Sequence, residues 1–141
     1  MKIAIGFDNA GEILYSAVIE YLQANKIEVL NFGANTDYPV AAKDVARAVA
    51  GGVADKGILL CGTGIGVAIA ANKVKGIRAA VVHNEFTARA TAAHNCSNIL
   101  CLGGRVIAPY TAALCVAAWL NTPFEGGRHA GRLELIDRQT D

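Results

Sequence analysis

The residues best placed to do chemistry are Cys61-Gly62-Thr63-Gly64-Ile65-Gly66, where a thiol meets a glycine-rich turn. The apolar run before it, GILLC at 57–61, reads as a strand, and the residues after it read as a short helix to Lys73. Glycine lets the backbone turn sharply and bring amides close to a ligand. The first amides of a helix lack intrahelical acceptors and carry partial positive charge. Such a turn holds an anion, either a phosphate or the oxygen of a developing enediolate. It also favours the thiolate form of a cysteine beside it, which makes Cys61 a candidate base or nucleophile. A tight strand-to-helix turn with a buried cysteine has the same sequence pattern, and spacing alone leaves both readings open. A dinucleotide fingerprint fits poorly, because the turn follows the third strand. A Walker loop is excluded, because no Lys-Ser/Thr follows Gly66.

Other polar residues fall where elements end. Asp8 directly follows an apolar strand, where a carboxylate either binds sugar hydroxyls or caps the next helix. His94 and Asn95 lie between a helix and a strand. His94 is an acid–base candidate, because imidazole titrates nearest neutrality, or else a helix-terminal residue facing the dipole. Arg128 and Arg132 are four apart and share one helix face, which suits either a phosphate dianion or a solvated basic tail. The histidines His83, His94 and His129 show no metal-ligand spacing with one another or with the cysteines, so no metal and no cofactor is expected.

These residues need a scaffold, and the apolar pattern supplies one. Runs at 2–7, 27–32, 57–61, 77–82 and 98–102 read as five strands. Between them, Ile13, Leu14, Val18, Ile19 and Leu22 mark a helix over 11–25. Val40, Ala41, Val45, Ala48 and Val49 mark a second, started by Pro39 and ended by Gly51-Gly52. Further helices are expected at 84–93, from Pro109 to Leu120, and in the tail at about 129–138, which carries Leu133, Leu135 and Ile136. Strands separated each time by a helix imply βαβ units with right-handed crossovers. The expected fold is α/β, a three-layer α/β/α Rossmann-like arrangement around a five-stranded parallel sheet. Ligands of such sheets bind beyond the carboxyl ends of the strands, which is where Asp8 and Cys61 fall.

The chain has 141 residues, about one domain, and no linker or second domain is apparent. It is 53% hydrophobic and 18% charged, which calls for a sheet covered on both faces, a large subunit interface, or both. A formal net charge of +1 gives no nucleic-acid or membrane surface. The start MKIAIGF is too short for a secretory signal, and no apolar run is long enough to span a bilayer. Four cysteines without a CxxC pair point to free thiols in a reducing, cytoplasmic compartment.

Taken together, IAIGFDNAG at 3–11, TDYP at 36–39, GILLCGTGIGVAIAANKVKGIRAA at 57–80, HNCSNILCLGGRV at 94–106 and EGGRHAGR at 125–132 resemble the ribose-5-phosphate isomerase B family, which includes the galactose-6-phosphate isomerase subunits. The resemblance runs end to end. It implies a metal-independent aldose–ketose isomerase of sugar phosphates, a homodimer or homotetramer with active sites shared between subunits. By matching position, Cys61 is the base, the amides from Gly62 to Gly66 (Gly64 and Ile65 among them) hold the enediolate oxygen, and Thr63 adds a hydroxyl. His94 assists ring opening. Asp8, Asn95 and Tyr38 contact the sugar, and Arg105, Arg128 and Arg132 contact the substrate and its phosphate. Most relatives carry histidine at the place of Asn9, and many ribose-phosphate isomerases carry it at that of Val40. Asparagine donates a hydrogen bond but brings no charge. Substrates of four, five or six carbons therefore stay open, as does a non-catalytic subunit that binds a sugar phosphate.

Overall fold

A computed structural model describes residues 1–138. Among them the chain alternates β1 (Lys2–Phe7), α1 (Tyr15–Ala24), β2 (Glu28–Ala34), α2 (Tyr38–Ala50), β3 (Lys56–Cys61), α3 (Ile65–Ala71), β4 (Ala79–Val81), α4 (Glu85–Asn95), β5 (Ile99–Gly103), α5 (Pro109–Leu120) and α6 (Arg128–Asp137). The five strands form one parallel sheet in the order β2-β1-β3-β5-β4. The strand order reverses between β1 and β3, so a crevice opens beyond their carboxyl ends. Phe7 is followed there by Asp8, and β3 ends on Cys61.

Alternation along the strands splits the core into two layers. Ile3, Ile5, Phe7, Ile58, Leu60, Leu100 and Leu102 face α1, α4 and α5. On the other face Ala4, Leu59, Cys61, Ile99 and Cys101 meet α2 and α3, whose contacts are mostly Ala and Val. The three-layer arrangement expected from the sequence is thus the one formed. No helix among the described residues is long and apolar enough to cross a membrane.

Trp119 anchors the first layer. It is fully buried, and its indole Nε1 donates to Ser97 Oγ at 2.9 Å. The Lys56 ammonium lies 4.8 Å from the ring centroid. Burial holds the Lys56 amine below its ordinary pKa, partly offset by Cys96. The Trp119–Ser97 bond ties α5 to the segment that carries His94 and Asn95. Trp119→Ala is expected to destabilise the protein by about 3–5 kcal/mol, the usual cost of emptying a large core site. Denaturant titration at constant m-value checks it.

Several boundaries differ from the sequence reading, for local reasons. Gly33 does not close the second strand. It sits inside β2 at φ 75°, where the register against β1 slips between Ile5 and Gly6, so the strand continues through a bulge. The first helix begins with a 3₁₀ turn, Glu12–Leu14, which leaves Ile13 exposed instead of on the apolar face. Val40 is likewise exposed in the first turn of α2. β4 is shorter than 77–82, because the Arg78 amide donates to the Asn98 side chain, outside the ladder. In α6 only Leu133 of the three tail apolars is buried. Asn84 caps α4, accepting from the Thr87 amide at 2.9 Å in a reciprocal capping box.

Candidate active site

At the β1/β3 crevice a cavity of about 310 Å³ is lined by Asp8, Ala10, Tyr38, Cys61, Gly62, Thr63, Gly66 and Arg105. The turn after β3 is shaped by Gly64, whose φ of 80° only glycine adopts freely. This turn aims the Gly64 amide back at Cys61, and the N–H donates to Sγ at 3.1 Å. Cys61 is only 5% exposed, yet it lines the cavity. A hydrogen bond from an amide is one that a thiolate receives more strongly than a thiol does. Gly66 lets Tyr38 close over the loop: a Cβ there would lie 2.5 Å from Tyr38 Cε1.

Not every loop amide is free to bind an oxyanion. That of Gly64 goes to Cys61, and that of Ile65 donates to Thr63 Oγ1 at 3.2 Å. Among the described residues the amides of Gly62, Thr63 and Gly66 meet no protein acceptor, and all three residues line the cavity. Asp8 does both things the sequence allowed. Its Oδ1 accepts from the Gly11 amide at 3.0 Å, while its side chain borders the cavity. Arg105 brings the cavity a guanidinium, held by a bond of 2.9 Å from its backbone N–H to the Gly62 carbonyl. Asn9 is exposed, and neither it nor Ile65 lines the cavity.

His94, Asn95, Arg128 and Arg132 lie elsewhere. Cys61 pairs with Gly103 at the carboxyl end of the sheet, whereas Ile99, just after the His94 segment, pairs with Gly57. Four residues at 3.3 Å put roughly 13 Å between these levels. α4 therefore ends at the amino side of the sheet, and His94 cannot reach the sulfur of its own chain. Asn95 borders a different cavity of about 340 Å³, next to Arg78 and Ser97. Arg78 stabilises that corner by a paired contact with Asp137 at 2.8 and 3.0 Å and by bonds to the carbonyls of Asn95 and Cys96.

His94 instead stacks on the buried His129, with centroids 4.5 Å apart and planes at 14°. Glu125 Oε1 stands 3.8 Å from His94 Nε2 and 3.7 Å from His129 Nε2. Burial, then the nearby His94 and Arg128, hold the His129 imidazole below its ordinary pKa. The sequence reading passed over Glu125 and took His129 only as a histidine without ligand spacing, although Glu125 stands four residues before His129 inside EGGRHAGR. That spacing was the available signal.

All four cysteines are free. Burial pushes Cys101 far above the ordinary thiol range, helped by Cys61, and burial with Glu85 pushes Cys115 up to about 11. Both stay protonated thiols in the core. Cys96 borders another cavity, near Lys56 and Thr122, so Cys61 is the cysteine that meets the crevice.

A thiol, free amides, a carboxylate and a guanidinium at the switch point of a parallel sheet define an α/β enzyme that works on a small oxygenated anion. The family model for Ribose/Galactose Isomerase matches residues 3–136, and the chain belongs to that family. It is 46% identical over 139 residues to ribose-5-phosphate isomerase B of Escherichia coli, covering 96% of this chain and 93% of that one. It is 42% identical over 141 residues to D-erythrulose-4-phosphate isomerase of Pectobacterium atrosepticum, covering 96% and 95%. The solved structure of Clostridium thermocellum ribose-5-phosphate isomerase B superposes with a TM-score of 0.94 at 46% identity, covering 97% and 95%.

Proposed function

We propose that this chain, a single domain over 1–141, interconverts the aldose and ketose forms of a small sugar phosphate by moving one proton between adjacent carbons. The observation that carries the reading is the Cys61 sulfur sharing one cavity with the unclaimed amides of Gly62, Thr63 and Gly66. The thiolate takes the proton from C2 of the open-chain aldose, leaving a cis-enediolate. The carbonyl oxygen gains negative charge as this happens, and the amides and the Thr63 hydroxyl receive it. A lost oxyanion donor typically costs about 3–4 kcal/mol of barrier. The O2 hydroxyl proton passes to O1 within the enediolate and the thiol returns its proton to C1, so that C2 becomes the carbonyl of the ketose and the thiolate is restored. Asp8 and Tyr38 orient the hydroxyls.

His94 opens the sugar ring as an acid, and Asn95 binds a hydroxyl. Because both lie far from Cys61 of their own chain, they serve the cavity of a second copy. Arg128 and Arg132, next to His129, come with them and meet the phosphate together with the resident Arg105. The working form is therefore a homodimer, or a homotetramer built from such dimers. Free thiols at all four cysteines fit a reducing, cytoplasmic setting.

Arg128→Ala and Arg132→Ala are each expected to raise KM for the phosphorylated substrate roughly 30-fold, the equivalent of about 2 kcal/mol for a lost charged hydrogen bond. Initial-rate kinetics on phosphorylated and free sugars check this, and an unchanged KM removes the phosphate role. Ribose 5-phosphate is the first substrate to assay. A second reading, a four-carbon sugar phosphate, is favoured by Asn9 and Val40 standing where a ribose-phosphate enzyme commonly has histidine, and by the erythrulose-phosphate relative. Ketose formation from four-, five- and six-carbon aldose phosphates decides between them. Turnover of none sinks the isomerase reading in favour of a binding subunit.

A further inference from the structure

We propose that His94, Glu125 and His129 form a binding site for a borderline divalent cation of the zinc class, and that the bound cation withdraws His94 from ring opening. One ligand atom from each residue lies within 4.8 Å of the others, and the two imidazole-to-carboxylate distances are already 3.7 and 3.8 Å. Two imidazoles and a carboxylate are the donor set such ions take, with a fourth position left to water. A hard ion such as magnesium prefers all-oxygen coordination.

The cluster is built from two tethered segments. Glu125 donates its backbone N–H to the Ala93 carbonyl at 3.0 Å, which fixes it beside the last turn of α4. The buried His129 follows at the start of α6, its N–H donating to the Gly126 carbonyl at 3.1 Å. Donor atoms around a zinc ion at 2.0–2.1 Å stand roughly 3.3 Å apart. Closure therefore asks for about 0.5 Å at the carboxylate and up to about 1.5 Å between the imidazoles, which the half-exposed side chains of His94 and Glu125 supply, His94 turning out of its stack while His129 stays packed. Arg128 and Arg132 oppose the cation. Their charge keeps the site weaker than a closed structural zinc centre and reversible by chelators. The binding half of the proposal stands on this cluster alone, and the inhibitory half rests on the role given to His94 above.

The test uses the full-length oligomer, freed of metal. Calorimetry with zinc chloride is expected to show one ion per chain, and cobalt chloride to give visible absorption of a nitrogen- and oxygen-ligated site. Magnesium chloride is expected to give neither. Glu125→Gln and His129→Ala are each expected to weaken zinc binding at least about tenfold, since even the outer-shell partners of zinc ligands are worth about 10–100-fold and these are direct ligands. Cys61→Ser is expected to leave it unchanged. In the wild type, zinc inhibits turnover and EDTA restores it. In Glu125→Gln the inhibiting concentration rises at least tenfold, measured against that variant's own zinc-free rate. Zinc binding that survives both cluster variants, or that disappears in Cys61→Ser, overturns the site. Binding at the cluster with turnover unaffected overturns the inhibitory half, while the isomerase reading continues to stand or fall with Cys61.

Discussion

Replacing Cys61 with alanine is expected to lower isomerisation by roughly 10³-fold, the scale on which a general base contributes. The hydrogen α to a sugar carbonyl is very weakly acidic, so the unclaimed loop amides cannot remove it by themselves. They stabilise charge only once a base has begun to take the proton. The substitution deletes one buried heavy atom, at a cost of about 1 kcal/mol in stability. The loop persists, because its shape is set by Gly64 and by the Arg105–Gly62 and Gly104–Cys61 backbone bonds. Kinetics alongside thermal unfolding separate the two effects, and exchange of substrate hydrogen with deuterated solvent gives an independent readout. Exchange and turnover should be lost together. Cys61→Ser is expected to fail almost as badly, since a serine hydroxyl remains protonated at neutral pH. Turnover near wild type in Cys61→Ala would move the base elsewhere, first to Asp8, the carboxylate in the same cavity.

The distance between what the residues announced and what the fold assembled follows from the range of each signal. Hydrophobic period is local, so the alternation of strands and helices was legible, and so was the thiol at the end of β3. Most of the cavity around Cys61 was also legible, because Asp8 and the glycine loop sit at strand ends that a parallel sheet brings to one edge, whereas Arg105 was reached only through the family resemblance. The bulge at Gly33 was hidden, because a glycine after an apolar run marks a strand end as often as a kink within one. The assignment of amides was hidden as well. Whether the Ile65 N–H faces a ligand or the Thr63 hydroxyl depends on a few degrees of loop geometry that composition does not encode. The His94–Glu125–His129 cluster was the largest omission. It joins residues some 30 positions apart through the Glu125–Ala93 backbone bond, a tertiary contact with no periodic trace.

The separation of Cys61 from His94 leads to the second prediction, restoration of activity by mixing two inactive variants. If each site takes its base from one copy and its ring-opening acid from another, Cys61→Ala and His94→Ala homodimers are both impaired. A mixed dimer contains one site with both lesions and one with neither. Equal amounts, unfolded and refolded together, give mixed dimers in half the population, with one intact site of two. Roughly a quarter of wild-type activity should return, as two-fold symmetry requires. The assay needs a cyclic sugar substrate, since a substrate that opens unaided bypasses His94. Activity no greater than the average of the parents would mean that the two side chains do not cooperate across subunits. His94 would then have no route to the sulfur, because the strand register places them at opposite ends of the sheet within one chain. Recovery near a quarter would instead explain why Cys61, the free amides and Arg105 gather at one end of the fold while His94, Arg128 and Arg132 gather near the other. Each chain then carries two complementary half-sites, and only pairing makes either of them work.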